Sequence, residues 1–361
     1  MNGCESEECG MKIGVLQGNG IGPEIVNATM RVIDACELGI EWVDIPIAER
    51  AIEKWGEPVP YQAIKMAKEL KVTLKGPITV EKGKGRVVCT HEDGTVETHC
   101  SFNNALRHEL NLFVNPRPAK GIPGISGKYE KLDVVVMREI SEGIYAAVEH
   151  RINGDLASEA VKLITKSGAE RLARYSFEYA RAHGRKKVTC VHKANAISLT
   201  DGLFLECFRR VAAEYPDIES NDYMVDATTY YLVKDPGRFD VIATMNQYGD
   251  ILSDLCAGLI GSLGLGAGGN IGEEYSMFEA CHGSAPDIAG MNIANPTSLI
   301  LSGAMMLRHV GYTEAGDLVE KCTREVLSEG KCLTRDLGGQ ANTDTFTDAV
   351  IEKIRKARNA Q

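Results

Sequence analysis

Two carboxylates four residues apart, Asp250 and Asp254, follow an apolar run that begins at position 240: Asp-Val-Ile-Ala-Thr-Met-Asn-Gln-Tyr-Gly-Asp-Ile-Leu-Ser-Asp. If Gly249 opens a helix, as the pattern after it predicts, this spacing stacks both side chains on one face, one turn apart. Like charges so placed repel unless a cation lies between them. Ligands that are all oxygens suit a hard ion such as Mg²⁺ or Mn²⁺ rather than zinc. The plainer alternative is a solvated acidic helix start, favoured by the helix dipole. A second set is basic: Arg107, Arg117 and Arg138, each at or near the end of a predicted element. Guanidiniums bind carboxylates bidentately and keep their charge when desolvated, so three together would suit a di- or tricarboxylate. Singly, each such residue is more often on the surface, and periodicity does not establish that the three converge. Lys193, delivered by a strand over 187–191, adds a group able to move a proton. Metal, arginines and a free lysine are the parts needed to polarise a hydroxy acid.

These groups need elements to position them. Residues 13–16 read as a buried strand, followed by the turn Gly18-Asn19-Gly20-Ile21-Gly22-Pro23-Glu24 and a helix to about 35. The glycine spacing is Gly-x-Gly-x-Gly, not the Gly-x-Gly-x-x-Gly dinucleotide fingerprint, so a Rossmann assignment is declined. Helical periodicity over 61–70 leads into a strand at 72–75 and a turn. Within the polar segment 81–100, Asp93-Gly94 signals a hairpin. Helices are expected over 103–112, 169–183 and 201–215, with further strands over 133–137 and 187–191. This alternation is that of an α/β protein.

At 361 residues and 44 % hydrophobic, the chain can bury more than one core, and two lobes are expected. A net charge of −10 argues against nucleic-acid and anionic-membrane partners, so an anionic substrate needs a locally basic pocket. Eleven cysteines without a Cys-x-x-Cys pair read as reduced thiols, which suits a cytoplasmic protein. The first ten residues are acidic, lacking the apolar stretch of a secretory signal and the arginines of a transit peptide. No run approaches the roughly 20 apolar residues that span a bilayer.

The motifs, in order, resemble one family from about residue 11 to 356: the metal-dependent, decarboxylating dehydrogenases of 3-substituted malates, the isocitrate/isopropylmalate dehydrogenases. Gly18 to Glu24 resembles the family's opening Gly-Asp-Gly-Ile-Gly-Pro-Glu, with Asn19 for the usual Asp. Lys75-Gly76-Pro77, Arg117-Pro118, Arg138-Glu139 with Tyr145, and Lys193-Ala194-Asn195 follow in family order. So do the 240–254 run and His282-Gly283-Ser284-Ala285-Pro286-Asp287-Ile288-Ala289-Gly290 with Asn295-Pro296. The resemblance implies that family's two-lobed α/β fold, not a Rossmann fold. A large cofactor-side domain would comprise residues 1–112 and 262–361. A smaller metal and dimer-interface domain would comprise 113–142 and 166–261, and a clasp at 143–165 would join an obligate homodimer or higher homo-oligomer.

It also implies roles. Asp250, Asp254 and Asp226 of the partner subunit would hold Mg²⁺ or Mn²⁺, and Lys193, also from the partner, would assist removal of the hydroxyl proton as hydride passes to NAD. After loss of CO₂, Tyr145 would protonate C3. Ser101, Asn103, Arg107, Arg117 and Arg138 would bind the substrate. Lys75, Thr79, Asn195, Asn295 and the segment His282, Gly283, Ser284, Ala285, Pro286, Asp287 and Ile288 would line the NAD site.

Within the family, Ser101-Phe102-Asn103-Asn104-Ala105-Leu106-Arg107 resembles the isocitrate enzymes, and Glu142-Gly143-Ile144-Tyr145 follows their pattern. An isopropylmalate enzyme would place leucines at Asn103 and Asn104, because an isopropyl group gains by burial. A homoisocitrate enzyme would carry an extra arginine, and none stands between Arg86 and Arg107. Asp287 occupies the position where NADP enzymes place a lysine followed by a tyrosine. A carboxylate there would accept hydrogen bonds from the ribose hydroxyls and repel a 2′-phosphate, which implies NAD. Thr334-Arg335-Asp336-Leu337-Gly338-Gly339 also resembles the NAD type. Two departures, Ile140 in place of an asparagine and the long hairpin at 81–100, keep homoisocitrate, 3-isopropylmalate, tartrate and larger analogues open as substrates. A regulatory, non-catalytic subunit is the alternative of another class, opposed by the presence of Tyr145, Lys193, Asp226, Asp250 and Asp254 together.

Overall fold

The computed structural model describes residues 10–79, 86–125, 127–154 and 156–360. The acidic residues 1–9 and positions 80–85 of the long polar segment lie outside the described residues. Ile13, Val15 and Leu16 are buried in β1 (Lys12–Leu16). The chain turns through Gly18 and Gly20, both at positive φ, into α1 (Gly22–Asp34), with Pro23 in the first turn where its missing N–H has no helical partner to lose. There follow β2 (Glu41–Asp44), α2 (Glu49–Trp55), α3 (Tyr61–Leu70) and β3 (Val72–Lys75). The hairpin of β4 (Val87–Thr90) and β5 (Val96–His99) turns at Asp93-Gly94, as the sequence predicts.

The next helix, α4 (Phe102–Glu109), ends short of the expected 112, because Leu112 already opens β6 (Leu112–Lys120). Pro116 and Pro118 conceal that strand from a periodicity reading. The middle of the chain supplies β7 (Asp133–Glu139), an exposed ribbon of β8 (Glu149–Ile152) and β9 (Ala157–Ala160), then α5 (Lys166–Ala182), β10 (Lys187–His192) and α6 (Thr200–Ala212). It continues with β11 (Glu219–Met224), α7 (Val225–Lys234), β12 (Val241–Thr244) and α8 (Asn246–Ile260). The chain ends with β13 (Ala267–Gly272), β14 (Ser276–Ala280), α9 (Thr297–His309), α10 (Thr313–Glu329) and α11 (Thr343–Asn359).

Ten strands form one sheet in the order β11-β10-β12-β7-β6-β13-β14-β3-β1-β2. Strands from the chain's middle (β7, β12, β10, β11) pair in parallel, as do those from its two ends (β14, β3, β1, β2). Antiparallel pairs β7–β6, β6–β13 and β13–β14 join these two wings. The β6–β13 pairing is confined to Val114 and Leu112 and carries a register shift at Ile271/Gly272. Pro116 and Pro118 follow at once, with no N–H to extend the ladder. Crossover helices connect the parallel strands, so those strands are apolar runs such as the fully buried Val134–Met137 stretch of β7 and all four residues of β12. A main apolar cluster runs through both wings. A smaller one, including Val87, Cys89, Phe102, Leu106, Ile140 and Met277, underlies the hairpin and α4. Ile140 therefore serves the core, and its N–H donates to Phe113 O at 3.0 Å.

Candidate active site

The site is assembled from β7, β6 and α8. β7 brings Arg138, β6 brings Asn115 directly opposite it and Arg117 two residues on, and α8 brings two acids. The helix opens at Asn246, three residues before the expected start at Gly249, with Met245 as its extended cap. Gly249 serves another purpose: a Cβ there would lie 2.6 Å from the Arg138 side chain, so glycine lets that arginine lie flat on the helix. The i, i+4 placement of Asp250 and Asp254 survives, since both lie within α8.

Arg138 is buried and donates through Nε and Nη2 to Asn246 Oδ1 at 3.1 and 2.9 Å, and through Nη1 to Asp250. Arg117 Nη1 lies 3.5 Å from Asp250 and 3.7 Å from Asp254 and donates to Ser253 Oγ at 2.7 Å. The Tyr145 hydroxyl stands 3.3 Å from Asp250 Oδ2. Burial, then the neighbouring guanidiniums of Arg117 and Arg107, lower the Arg138 pKa against the pull of Asp250. That excess of buried positive charge is what an anionic substrate relieves. Burial raises the Asp254 pKa, opposed by Arg117 and reinforced by Asp250. A pair of carboxylates on one helix face, offering only oxygens, fits a hard divalent cation. Among the described residues, no group of three His, Cys, Asp or Glu ligands within 4.8 Å of one another includes Asp250 and Asp254.

Arg107 joins this cluster through a network the sequence did not reveal. Its Nε donates to Asn270 Oδ1 at 3.0 Å; Asn115 Nδ2 donates to the same oxygen at 3.0 Å, and Asn115 Oδ1 accepts from Arg117 Nε at 2.6 Å. Glu279 on β14 accepts from Arg107 Nη2 at 3.2 Å, Asn270 Nδ2 at 2.8 Å and Lys75 Nζ at 2.6 Å. Burial would raise the Glu279 pKa, but the Lys75 and Arg107 charges overcome it and hold the carboxyl far below the usual range. Lys75, expected to line the NAD site, is 0 % exposed, and its ammonium bonds the same Glu279 carboxylate that Arg107 does. The only sign of Glu279 in the sequence is an acid set within an apolar strand.

The other residues expected to bind substrate, Ser101 and Asn103, sit at the start of α4. Ser101 Oγ caps the helix by accepting from Asn104 N at 3.1 Å, and Asn104 Nδ2 donates to Tyr145 O at 3.2 Å. Asn103 Oδ1 is buried without a hydrogen-bond partner.

Three loops interlock at the expected cofactor side. The Ile21 N–H donates to Ser284 O at 2.8 Å, and the Asn19 side chain bonds both Thr79 N (3.0 Å) and Thr79 O (3.1 Å). A Cβ on Gly20, whose φ is 59°, would come within 2.0 Å of Ser284 O. Gly283 is open, Ala285 adopts a left-handed φ of 36°, and Pro286, Asp287 and Ile288 form a short 3₁₀ turn on which Asp287 is exposed. His282 Nε2 is buried without a partner, and burial lowers the pKa of that imidazole. Asn295 Nδ2 donates to Asp336 at 2.9 Å, and Asp336 also accepts from Ser262 and Thr334, an organising role that sequence reasoning missed.

Lys193, Asn195 and Asp226 stand apart from both groups. Lys193 Nζ donates to Asp226 at 2.6 Å, and that ammonium lowers the Asp226 pKa. Asn195 is exposed on the loop after β10. Beside them Leu199 is 86 % exposed, with Tyr230 and Ile251 also bare to solvent.

The arginine cluster, the acidic pair and the mixed sheet of two wings accompany a sequence match that places the chain among the decarboxylating dehydrogenases. The chain belongs to the isocitrate/isopropylmalate dehydrogenase family, whose model matches residues 12–350. It is 43 % identical over 345 residues to a probable mitochondrial NAD isocitrate dehydrogenase subunit alpha of Drosophila melanogaster, covering 95 % of this chain and 87 % of that one. It is 44 % identical over 343 residues to a 3-isopropylmalate dehydrogenase of Archaeoglobus fulgidus, covering 95 % and 99 %. The crystal structure of isocitrate dehydrogenase from Methylococcus capsulatus matches with a TM-score of 0.89 at 44 % identity, covering 95 % and 99 %.

Proposed function

We propose that this protein is an NAD- and divalent-metal-dependent isocitrate dehydrogenase, acting as a homodimer in a reducing compartment such as the cytoplasm. The observation that carries the choice of substrate is Asn103, whose buried Oδ1 lacks a partner beside the arginine cluster. An apolar isopropyl arm packed there would leave the amide unpaired, whereas a polar arm does not. Arg107, Arg117 and Arg138 bind and orient the carboxylates. Lys193 of the partner subunit takes the hydroxyl proton, and Tyr145, poised against Asp250, delivers the proton to C3 after decarboxylation. Asp250, Asp254 and Asp226 of the partner subunit would hold a divalent cation, which would supply polarisation of the hydroxyl, and Thr79, Asn195, His282–Ile288 and Asn295 would hold NAD as the hydride acceptor.

The dimer reading is supported by the bare apolar residues beside Lys193 and by the β8–β9 ribbon, all of it exposed, with Leu156 74 % exposed at its tip. Residues 143–165 act as the clasp. The end-derived segments (1–112, 262–361) form the cofactor lobe, and 113–142 with 166–261 form the metal lobe. The test is NADH formation by the purified protein with Mn²⁺ and NAD on isocitrate, homoisocitrate, 3-isopropylmalate and tartrate, repeated with NADP. Isocitrate with NAD is expected to be fastest. A better rate on another malate would overturn the role given to Asn103, and a preference for NADP would overturn the role given to Asp287.

A further inference from the structure

The hairpin that departs from the family pattern carries chemistry outside the active site. Glu97 and His99 lie two apart on β5, and so share a face, the one that packs inward opposite Cys89 and Val87. His108 and Glu109 close the last turn of α4. One ligand atom from each of these four residues lies within 4.8 Å of all the others. His99 Nε2 is 3.7 Å from Glu97 and 3.9 Å from Glu109, and His108 Nδ1 is 3.4 Å from Glu97. These separations are too long for hydrogen bonds. They approach the spacing of about 3.4 Å between ligands of a tetrahedral centre with bonds near 2.1 Å.

Two of these groups are buried, His99 at 7 % exposure and the Glu109 side chain at 6 %, yet His99 Nε2 and Glu109 Oε1 have no hydrogen-bond partner. His91 Nε2, also buried and unpartnered, stands 3.5 Å from Glu109. Buried polar atoms are normally satisfied, and the two unsatisfied ones within this group of four, His99 Nε2 and Glu109 Oε1, ask for something that bonds them both.

We propose that Glu97, His99, His108 and Glu109 form a second metal site, for a zinc-class divalent cation, that fastens the β4–β5 hairpin onto α4. Two imidazole nitrogens and two carboxylate oxygens suit zinc, whereas Mg²⁺ takes oxygen ligands in octahedral array. A pocket of about 470 Å³, lined in part by Ile64, Lys68, Cys89 and His91, borders the site at Glu109. The site is separate from the Asp250/Asp254 pair, but it grips the far end of the helix whose start carries Ser101 and Asn103. Metal there fixes the lie of the substrate helix.

The test uses the full-length protein with excess Mg²⁺ to occupy the oxygen site. Zinc is added, unbound metal is removed by gel filtration, and bound zinc is counted by elemental analysis. One zinc per subunit is expected, with a raised thermal midpoint. His108→Ala, at a position 60 % exposed, and Glu97→Gln keep the fold and weaken zinc binding by more than ~100-fold, since even outer partners of metal ligands are worth 10–100-fold. Cobalt in place of zinc gives a d–d spectrum without the thiolate charge-transfer band that binding to any of the 11 cysteines would produce. Zinc absent from the wild type, zinc retained equally by both variants, or a thiolate band in the cobalt protein would each overturn the proposal.

Discussion

Replacing Glu279 with alanine removes the only carboxylate that Lys75 and Arg107 contact among the described residues, leaving two buried cations facing each other across the gap. Breaking a buried pair by deleting one partner costs about 3–5 kcal/mol, because the surviving charge stays desolvated. Two survivors place Glu279→Ala at the upper end of that range. Glu279→Gln keeps one acceptor oxygen and falls near the lower end. The assay is equilibrium urea unfolding at fixed protein concentration, read as a shift of midpoint at constant slope. A pH series adds a second reading. The folded carboxyl titrates well below an ordinary glutamate, so its contribution is complete above about 4.3, the unfolded value, and is lost as pH falls toward the depressed native one. The acid arm of the wild-type stability curve therefore flattens in the Gln variant. A cost for Glu279→Ala under about 1 kcal/mol at neutral pH, far below the range for a broken buried pair, would show that the network does not hold Arg107 in place.

The remaining predictions concern chemistry and backbone. Lys193→Met lowers kcat by about 10²–10⁴-fold while gel filtration still reports the dimer, and near-normal turnover would remove Lys193 from the reaction. Asp254→Asn raises the Mn²⁺ concentration for half-maximal rate by more than ~10-fold with the circular dichroism spectrum unchanged; an unaltered metal requirement would place the cation elsewhere. Gly20→Ala forces a Cβ to within 2.0 Å of Ser284 O at a left-handed φ, costing about 1–3 kcal/mol and weakening NAD binding. A thermal midpoint equal to wild type would show that the loop moves freely.

What the sequence revealed was local. The Asp250/Asp254 stack depends only on helical spacing, and it survives although the helix starts three residues earlier than expected. The meeting of Arg107, Arg117 and Arg138 was a conjecture beyond the reach of periodicity, because it depends on which residue of β6 faces which of β7 and on a bridge through Asn270 from a third strand. Glu279 and Lys75 eluded the reading for a related reason. A charged residue in a strand ordinarily faces solvent, but β14 and β3 lie inside the sheet, so Lys75 and Glu279 answer each other and Arg107. β6 was hidden by the two prolines that also end its pairing with β13.

The sheet order has a consequence for how the molecule is made. Val72 on β3 pairs with Ser276 on β14, a separation of 276 − 72 = 204 positions. At roughly 5–20 residues per second, the ribosome leaves β3 with one edge open for about 10–40 s while the entire middle wing is synthesised. The middle wing, contiguous in sequence, can close its own parallel strands during that wait. The wing begun first must finish last, and the unpaired edge of Val72–Lys75 is the point at which a nascent chain is most exposed to pairing with a stranger.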